Sequence, residues 1–379
     1  MIRVIQFGTL DVAEGGPALS TYLTMKGINT CGGSSTIIMP PPLRSGRVVS
    51  ESVNRIYTLS PKLKKFEYIP HLKNSIESVG MGDVFHIQGL WRYIGAGAAC
   101  YARHHHIPYV ISLRGMLYPQ ALATSAMVKK LSLWLYQRRD LQCAACIQAT
   151  CKEEMEHYRN LGFTNPVAVI PNPIDLGDCI GRSIPQKSHF KVGYLGRVHP
   201  RKRIERLIYA MSDLKEQINN AELIVIGSGD EDYELFLKNE VKRLKLKNVI
   251  FTGFLTGEKK DLAISELSVL AVPSDFENFG NIVAEALVRG VPVIASTGMP
   301  WNELVTYNCG WWINNDQDSI NQTILNAYKV GEVERIQMGM NGKRLMKENY
   351  SVEILGEKMM RLYEWILGRA NKPDFVYED

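Results

Sequence analysis

The sequence predicts an α/β protein made of two doubly wound parallel sheets. Three observations predict it. Short apolar, β-branched runs alternate with longer segments of helical period, the pattern of parallel sheets covered by helices on both faces. The alternation runs twice along the chain, on either side of one stretch without periodicity. And 379 residues are long for one hydrophobic core and comfortable for two.

In the first series, strands are expected over 3–7, 36–39, 84–88, 109–113, 146–149 and 168–170. In the second they are expected over 191–195, 222–226, 249–252, 269–272 and 291–295, with amphipathic helices over 204–214, 233–244 and 281–289. The joint is expected within 172–191, which holds Pro173, Gly177, Gly181 and Pro185. This divides the chain into a first domain over 1–180 and a second over 190–351. A last amphipathic helix follows at about 352–368, and the polar tail 371–379 is expected to fray.

Composition narrows the class. Apolar content of 45% and charged content of 22% describe an ordinary globular protein. No run reaches the roughly 18 apolar residues of a membrane span. Residues 1–7 are apolar but short for a signal peptide and lead into a Gly-rich turn, so a cytoplasmic protein is expected. The seven cysteines follow no disulfide spacing, and Cys143, Cys146 and Cys151 lack the second ligand pair a zinc site needs. They are expected to be buried free thiols.

The net charge of +5 is modest but clustered, at Lys62, Lys64 and Lys65, at Lys129 and Lys130, at Arg138 and Arg139, and at Arg201, Lys202 and Arg203. Without interleaved aromatics these clusters do not suggest nucleic acid. They suit anionic lipid or a phosphorylated substrate. The basic segment 127–141 carries Leu131, Leu133, Trp134, Leu135 and Tyr136, and its apolar stripe is expected to pack on the first sheet. The alternative is a helix lying on an anionic membrane. His104, His105 and His106 are consecutive and cannot all face one metal, so a surface run is expected.

In open α/β sheets, ligands bind at the carboxyl ends of strands. Three candidate segments lie there. After the first strand, Gly15 and Gly16 allow close backbone approach at a helix start that can face an anion. After 191–195, Arg197 and Lys202 flank a loop entering a helix, an arrangement that suits a diphosphate. After 269–272 comes a turn at Pro273 and Ser274, then Glu277, then Gly280 and a helix beginning at Asn281 with exposed N–H groups. Glu285, just over one turn into that helix, can accept both hydroxyls of a ribose, as an acidic residue does in dinucleotide folds.

Glu277 and Glu285 enclose seven residues, and the segment resembles the E-x7-E motif of glycosyltransferase family 4. Pro273-Ser274, and Glu285-Ala286-Leu287 followed by Gly290, Pro292, Val293 and Ile294, are similar to that family's donor-site block. The Arg197 to Lys202 loop resembles its phosphate-binding G-R-x-x-x-x-K, and Gly15-Gly16-Pro17 its N-terminal glycine loop. Residues 86–91, 114–117, 170–175 and 297–301 also resemble family segments, in order along nearly the whole chain. One departure is Arg114-Gly115, where many relatives carry His-Gly.

The resemblance implies an α/β GT-B fold: two Rossmann-like doubly wound domains facing a central cleft, with the last helix crossing back to the first. It implies retaining transfer from a nucleoside diphosphate sugar, UDP-linked in preference to GDP-linked, without metal or cofactor. Glu277, Arg197 and Lys202 would be catalytic. Gly16, Asn278, Phe279, Gly280, Asn281, Ile282 and Glu285 would bind the donor. Gly15, Arg114 and His86 would contact sugar or acceptor. The implied acceptor is a polyprenyl-diphosphate-linked glycan of capsule, lipopolysaccharide or exopolysaccharide assembly, reached from the inner face of the cytoplasmic membrane. The alternatives are a GT-B epimerase or a nucleotide-binding protein without catalysis.

Overall fold

The computed structural model describes residues 1–42, 44–62, 67–187 and 189–378, so Lys64 and Lys65 lie outside the described residues. The described residues carry β1 (Arg3–Phe7), β2 (Ser34–Met39), β3 (Asn54–Tyr57), β4 (Val84–Gln88), β5 (Tyr109–Ser112), β6 (Cys146–Ala149), β7 (Val167–Val169), β8 (Lys191–Leu195), β9 (Glu222–Ile226), β10 (Val249–Gly253), β11 (Val269–Val272), β12 (Val293–Ser296), β13 (Gly310–Ile313) and β14 (Val376–Tyr377). They form two sheets in two compact units. One unit is Met1–Asp175 with Tyr350–Asp379, the other Leu176–Asn349.

The first sheet runs β14-β7-β6-β5-β4-β1-β2-β3. All its pairs are parallel except β14 on β7. Its strands are apolar on both faces because helices cover both. One face buries Phe7, Phe85, Tyr109 and Ile147 against the helices Tyr93–His104 and Arg138–Gln142. The other buries Val4, Val84, Val110 and Ala168 with Leu355, Met359, Leu362 and Tyr363 of the last helix, Val352–Ile366. That helix starts where Ser351 accepts the Ile354 N–H at 3.2 Å, an N-cap.

The last helix lies against Gly16–Thr30 at a pair of glycines. A Cβ on Gly27 would stand 2.6 Å from the Val352 carbonyl, and one on Gly356 would stand 2.5 Å from the Gly27 carbonyl. Only hydrogen fits there, so backbone meets backbone.

The tail does not fray as composition suggested. Phe375 and Val376 are buried, and β14 pairs Val376 with Ala168 and Tyr377 with Val167. Two apolar residues inside a polar tail are enough to close a sheet edge that would otherwise present unpaired backbone. The strands β3 and β13 were also unforeseen. Both are four-residue edge strands whose hydrophobic pattern is too short to read.

The second sheet runs β10-β9-β8-β11-β12-β13, all parallel. Its core gathers Val192, Tyr194, Ile208, Leu223, Val225, Leu237, Val269 and Ile324. Chain order reverses between β8 and β11, since β8 continues to β9 on one side while β11 lies on the other. Such a switch point splays the following loops apart and opens a crevice at the strands' carboxyl ends.

All seven cysteines are free, with Cys146 and Cys151 buried as expected and Cys143 exposed. Cys143 caps the helix Arg138–Gln142 on the surface side, before the chain turns into β6. No helix among the described residues is long and apolar enough to cross a membrane.

Candidate donor site

The switch point of the second sheet brings the sequence-predicted residues together. β8 ends at Leu195 and the chain passes Gly196 and Arg197 into a short 3-10 turn, Pro200–Lys202. β11 ends at Val272, and a loop through Glu277 reaches the helix Asn281–Val288. Backbone bonds stitch the loops in place. The Asp275 N–H donates to the Arg201 carbonyl at 3.0 Å, and the Glu277 N–H to the Gly298 carbonyl at 2.9 Å. Arg203 adds an ion pair to Asp275 at 2.9 Å.

With the loops fixed, Lys202 pairs with Glu277, each largely buried at 12% and 14% side-chain exposure. The Ser274 hydroxyl donates to the same carboxylate oxygen at 3.2 Å. A Lys ammonium has three donors, so Lys202 can hold Glu277 and still offer N–H groups to a phosphate. Glu285 is paired too, with Lys260 Nζ at 2.5 Å from its Oε2.

Gly280 sets the approach to the helix. Its φ of 76° is left-handed, and a Cβ there would meet Met299 Cε at 2.4 Å. It brings no side chain to cap the first turn, whose N–H groups belong to the positive end of the helix. The Phe279 ring is buried against Trp301, 5.1 Å between centroids, and its carbonyl accepts the Trp301 indole N–H at 2.5 Å. It holds the loop's shape rather than presenting a side chain to a ligand. Asn278, Asn281 and Ile282 are half-buried.

Beside these groups lies a cavity of about 330 Å³, lined among others by Gly196, Arg197, Phe254, Leu255, Lys260 and Ile282. Phe254 is 76% exposed just past the end of β10, an aromatic face offered at a strand's carboxyl end. Phe254 was legible by that positional rule and was missed. Lys260, on the helix Gly257–Ser265, had no sequence signal, because only the fold brings it to Glu285.

In the first unit the predicted residues behave differently. Gly15, with φ 63°, is exposed and precedes the helix Gly16–Thr30, as a glycine loop at a helix start should. His86 is corrected. Its ring is fully buried, with Nδ1 2.7 Å from the Tyr363 hydroxyl and Nε2 2.7 Å from Ser112 Oγ. Burial pushes it down to about 3, so the ring is neutral and serves the sheet, not a ligand. Arg114 sits at φ 55° and is half-buried. Its guanidinium donates to Gln88 Oε1 at 2.6 Å and to Asn172, and burial lowers it to about 10, still cationic at neutral pH. His104 and His106 are exposed and His105 stacks on Tyr101, a surface run. Among the described residues, no group of three or more His, Cys, Asp or Glu side chains is placed to hold a metal.

Comparison with known proteins agrees with this arrangement. Residues 182–345 match the family model for glycosyl transferases group 1, and residues 15–173 match that for a glycosyl transferase 4-like domain. A GDP-mannose-dependent monoacylated alpha-(1-6)-phosphatidylinositol monomannoside mannosyltransferase of Corynebacterium glutamicum is 28% identical over 57% of this chain and 52% of its own. The capsular polysaccharide biosynthesis glycosyltransferase CapM of Staphylococcus aureus is 26% identical over 68% of this chain and 70% of its own. The chain spans about half the length of the first curated relatives it matches. Among solved structures, Anabaena Alr3699/HepE in complex with UDP and glucose is similar with a TM-score of 0.71, at 15% identity over 96% of this chain and 99% of that one. The two α/β units, each matched by its own transferase model, make this a GT-B protein, and the chain belongs to the glycosyl transferases of the family 4 type.

Proposed function

We propose that the protein is a retaining hexosyltransferase that moves a sugar from a nucleoside diphosphate sugar to an acceptor hydroxyl. The observation that carries this reading is the grouping of charge at the β8/β11 switch point: Arg197 and Lys260 line one cavity, Lys260 pairs with Glu285, and the Lys202–Glu277 pair holds the loops that follow β8 and β11. The nucleoside lies in that cavity, with its base against Phe254 and its ribose hydroxyls on Glu285. Its diphosphate lies over Arg197, Lys202 and the first turn of Asn281–Val288. Negative charge builds on the departing diphosphate as the sugar becomes oxocarbenium-like. Fixed cations and N–H dipoles stabilise that charge where it develops, and they do so without a metal or cofactor.

In this mechanism Glu277 lies beside the sugar, with Lys202 balancing its charge until the diphosphate arrives. Departure and attack on the same face, through a short-lived ion pair, retain the anomeric configuration. The donor is UDP-linked in preference to GDP-linked; the UDP complex of the Anabaena structure supports the first and the corynebacterial mannosyltransferase the second. The acceptor is a lipid-linked glycan of surface-polysaccharide assembly, a reading that the likeness to CapM supports.

Calorimetry with UDP, GDP and their sugars tests the site. Wild-type protein binds one nucleoside diphosphate without added metal, and Glu285→Gln weakens it about tenfold, the loss of roughly one charge-assisted hydrogen bond. Unchanged binding by the variant removes Glu285 from the ribose. Turnover that EDTA abolishes removes the metal-free mechanism.

A further inference from the structure

Two helical segments are held by polar bonds more than by burial. The run 126–142 was expected to pack its apolar stripe on the first sheet, yet Met127, Trp134 and Leu135 face solvent while Tyr136, Gln137 and Asp140 bond inward. The other is the helix Gly257–Ser265, which carries Lys260 to the donor cavity.

That second helix has little apolar anchorage. Ile264 is its one buried residue, and Leu262 is 63% exposed. Its first turn has no side-chain cap, since Thr256 accepts from none of its N–H groups. Lys260 lies in that turn, where a cation works against the helix dipole, so helix stability does not account for its place. A first turn of this kind frays unless something outside it holds it.

Arg289 holds it. The residue follows the end of the helix Asn281–Val288. Its guanidinium pairs with Asp261, the neighbour of Lys260, and is aimed there by a second bond, to the Glu285 carbonyl at 2.7 Å. The two helices are therefore joined twice, by Lys260 to Glu285 at 2.5 Å and by Asp261 to Arg289 about one turn further on. The joints face different spaces. Lys260 lines the donor cavity, whereas Asp261 and Arg289 line a second cavity of about 380 Å³ together with Arg182 and Lys343. The Arg289 side chain is only 14% exposed, and a guanidinium so far out of water needs its partner carboxylate.

We propose that Arg289 is a positioning residue of the donor site. By holding Asp261 from outside the cavity, it fixes the first turn of Gly257–Ser265 and with it the place of Lys260 against Glu285. Without this clamp the first turn and Lys260 sample other positions, and nucleotide binding must order them again at an entropic cost. The inference rests on the donor-site reading and deepens it, by naming a residue that sets the site's geometry from behind.

Calorimetry of the full chain tests it, with UDP or GDP, whichever binds the wild type more tightly. Arg289→Met keeps the aliphatic stem and is expected to raise the Kd about fivefold, the loss of one largely buried ion pair. Turnover at saturating donor should stay within about twofold, because binding is lost and not a contact made only in the transition state. Asp261→Asn, made at the more exposed partner and so sparing the fold, is expected to give the same result. The decisive arm repeats both variants in a Lys260→Met background. There each adds less than about twofold, since each acts through Lys260. A loss as large as in the wild type makes the pair merely structural and overturns the proposal. So does wild-type affinity in Arg289→Met, or a Kd that Lys260→Met leaves unchanged. Wild-type protein that binds no nucleoside diphosphate ends the donor-site reading and this inference with it, whereas wild-type binding with an inert Arg289 ends this inference alone.

Discussion

The two units use the same topology and similar residue types to opposite ends. In the second, Arg197, Lys202 and Glu277 stand on loops past strand ends and Glu285 on the helix that follows, Lys202 pairing with Glu277 and Glu285 with Lys260, while Arg197 and Lys260 line a ligand-sized cavity. In the first, His86 stands within β4, two residues before its end, and its ring nitrogens bond Tyr363 and Ser112. A few residues, from within a strand to past its end, separate a group that can meet a ligand from one that fastens a helix to a sheet. Inside the sheet, helices cover the side chain and its polar atoms must find protein partners. Past the strand end, backbone diverges and they can find a ligand.

The comparison breaks most easily on the charged loops. Arg197→Ala with Lys202→Ala should cut turnover, followed as released nucleoside diphosphate, by at least two orders of magnitude, the usual consequence of removing preorganised charge stabilisation. The melting point should hardly move. A large loss of stability instead would make these residues structural, like His86.

Tyr363→Phe tests the first unit. It strips the hydroxyl from a fully buried His86 and should cost about 1–3 kcal/mol in chemical denaturation, with nucleotide affinity unchanged. A nucleotide affinity that falls with it would erase the distinction between the units.

His86 also gives the first unit a pH signature. It titrates at about 3 when folded and at 6.5 by its ordinary value. Below pH 6.5 the unfolded chain takes up a proton the folded chain refuses, so stability falls as pH falls, by about 1.4 kcal/mol per pH unit at most. His86→Gln should flatten that slope. Buried Asp140, lifted to about 6, tilts the curve the other way in both proteins and cancels in the difference.

The smallest effect is expected at Phe254→Ala. Loss of one exposed stacking surface should weaken nucleotide binding a few-fold, about 1 kcal/mol. No change in affinity would place the base elsewhere in the cavity.

Much of this was legible in the chain itself. The spans of β1, β4, β6, β8, β9 and β11 follow from runs whose period is complete within five residues. The E-x7-E spacing sets Glu277 before a helix and Glu285 inside it, because a helix and the loop before it are local objects. Local encoding ends where facing is decided. The apolar stripe of 127–141 is written in the sequence, but whether it turns to the sheet or to solvent depends on the polar bonds of Tyr136, Gln137 and Asp140 to distant residues. The burial of His86, the closing of a sheet edge by Val376 and the reach of Lys260 to Glu285 are likewise long-range. Periodicity states which residues share a face. Only the packed tertiary structure decides what that face meets, because burial and pairing are properties of partners that the chain brings together from far apart.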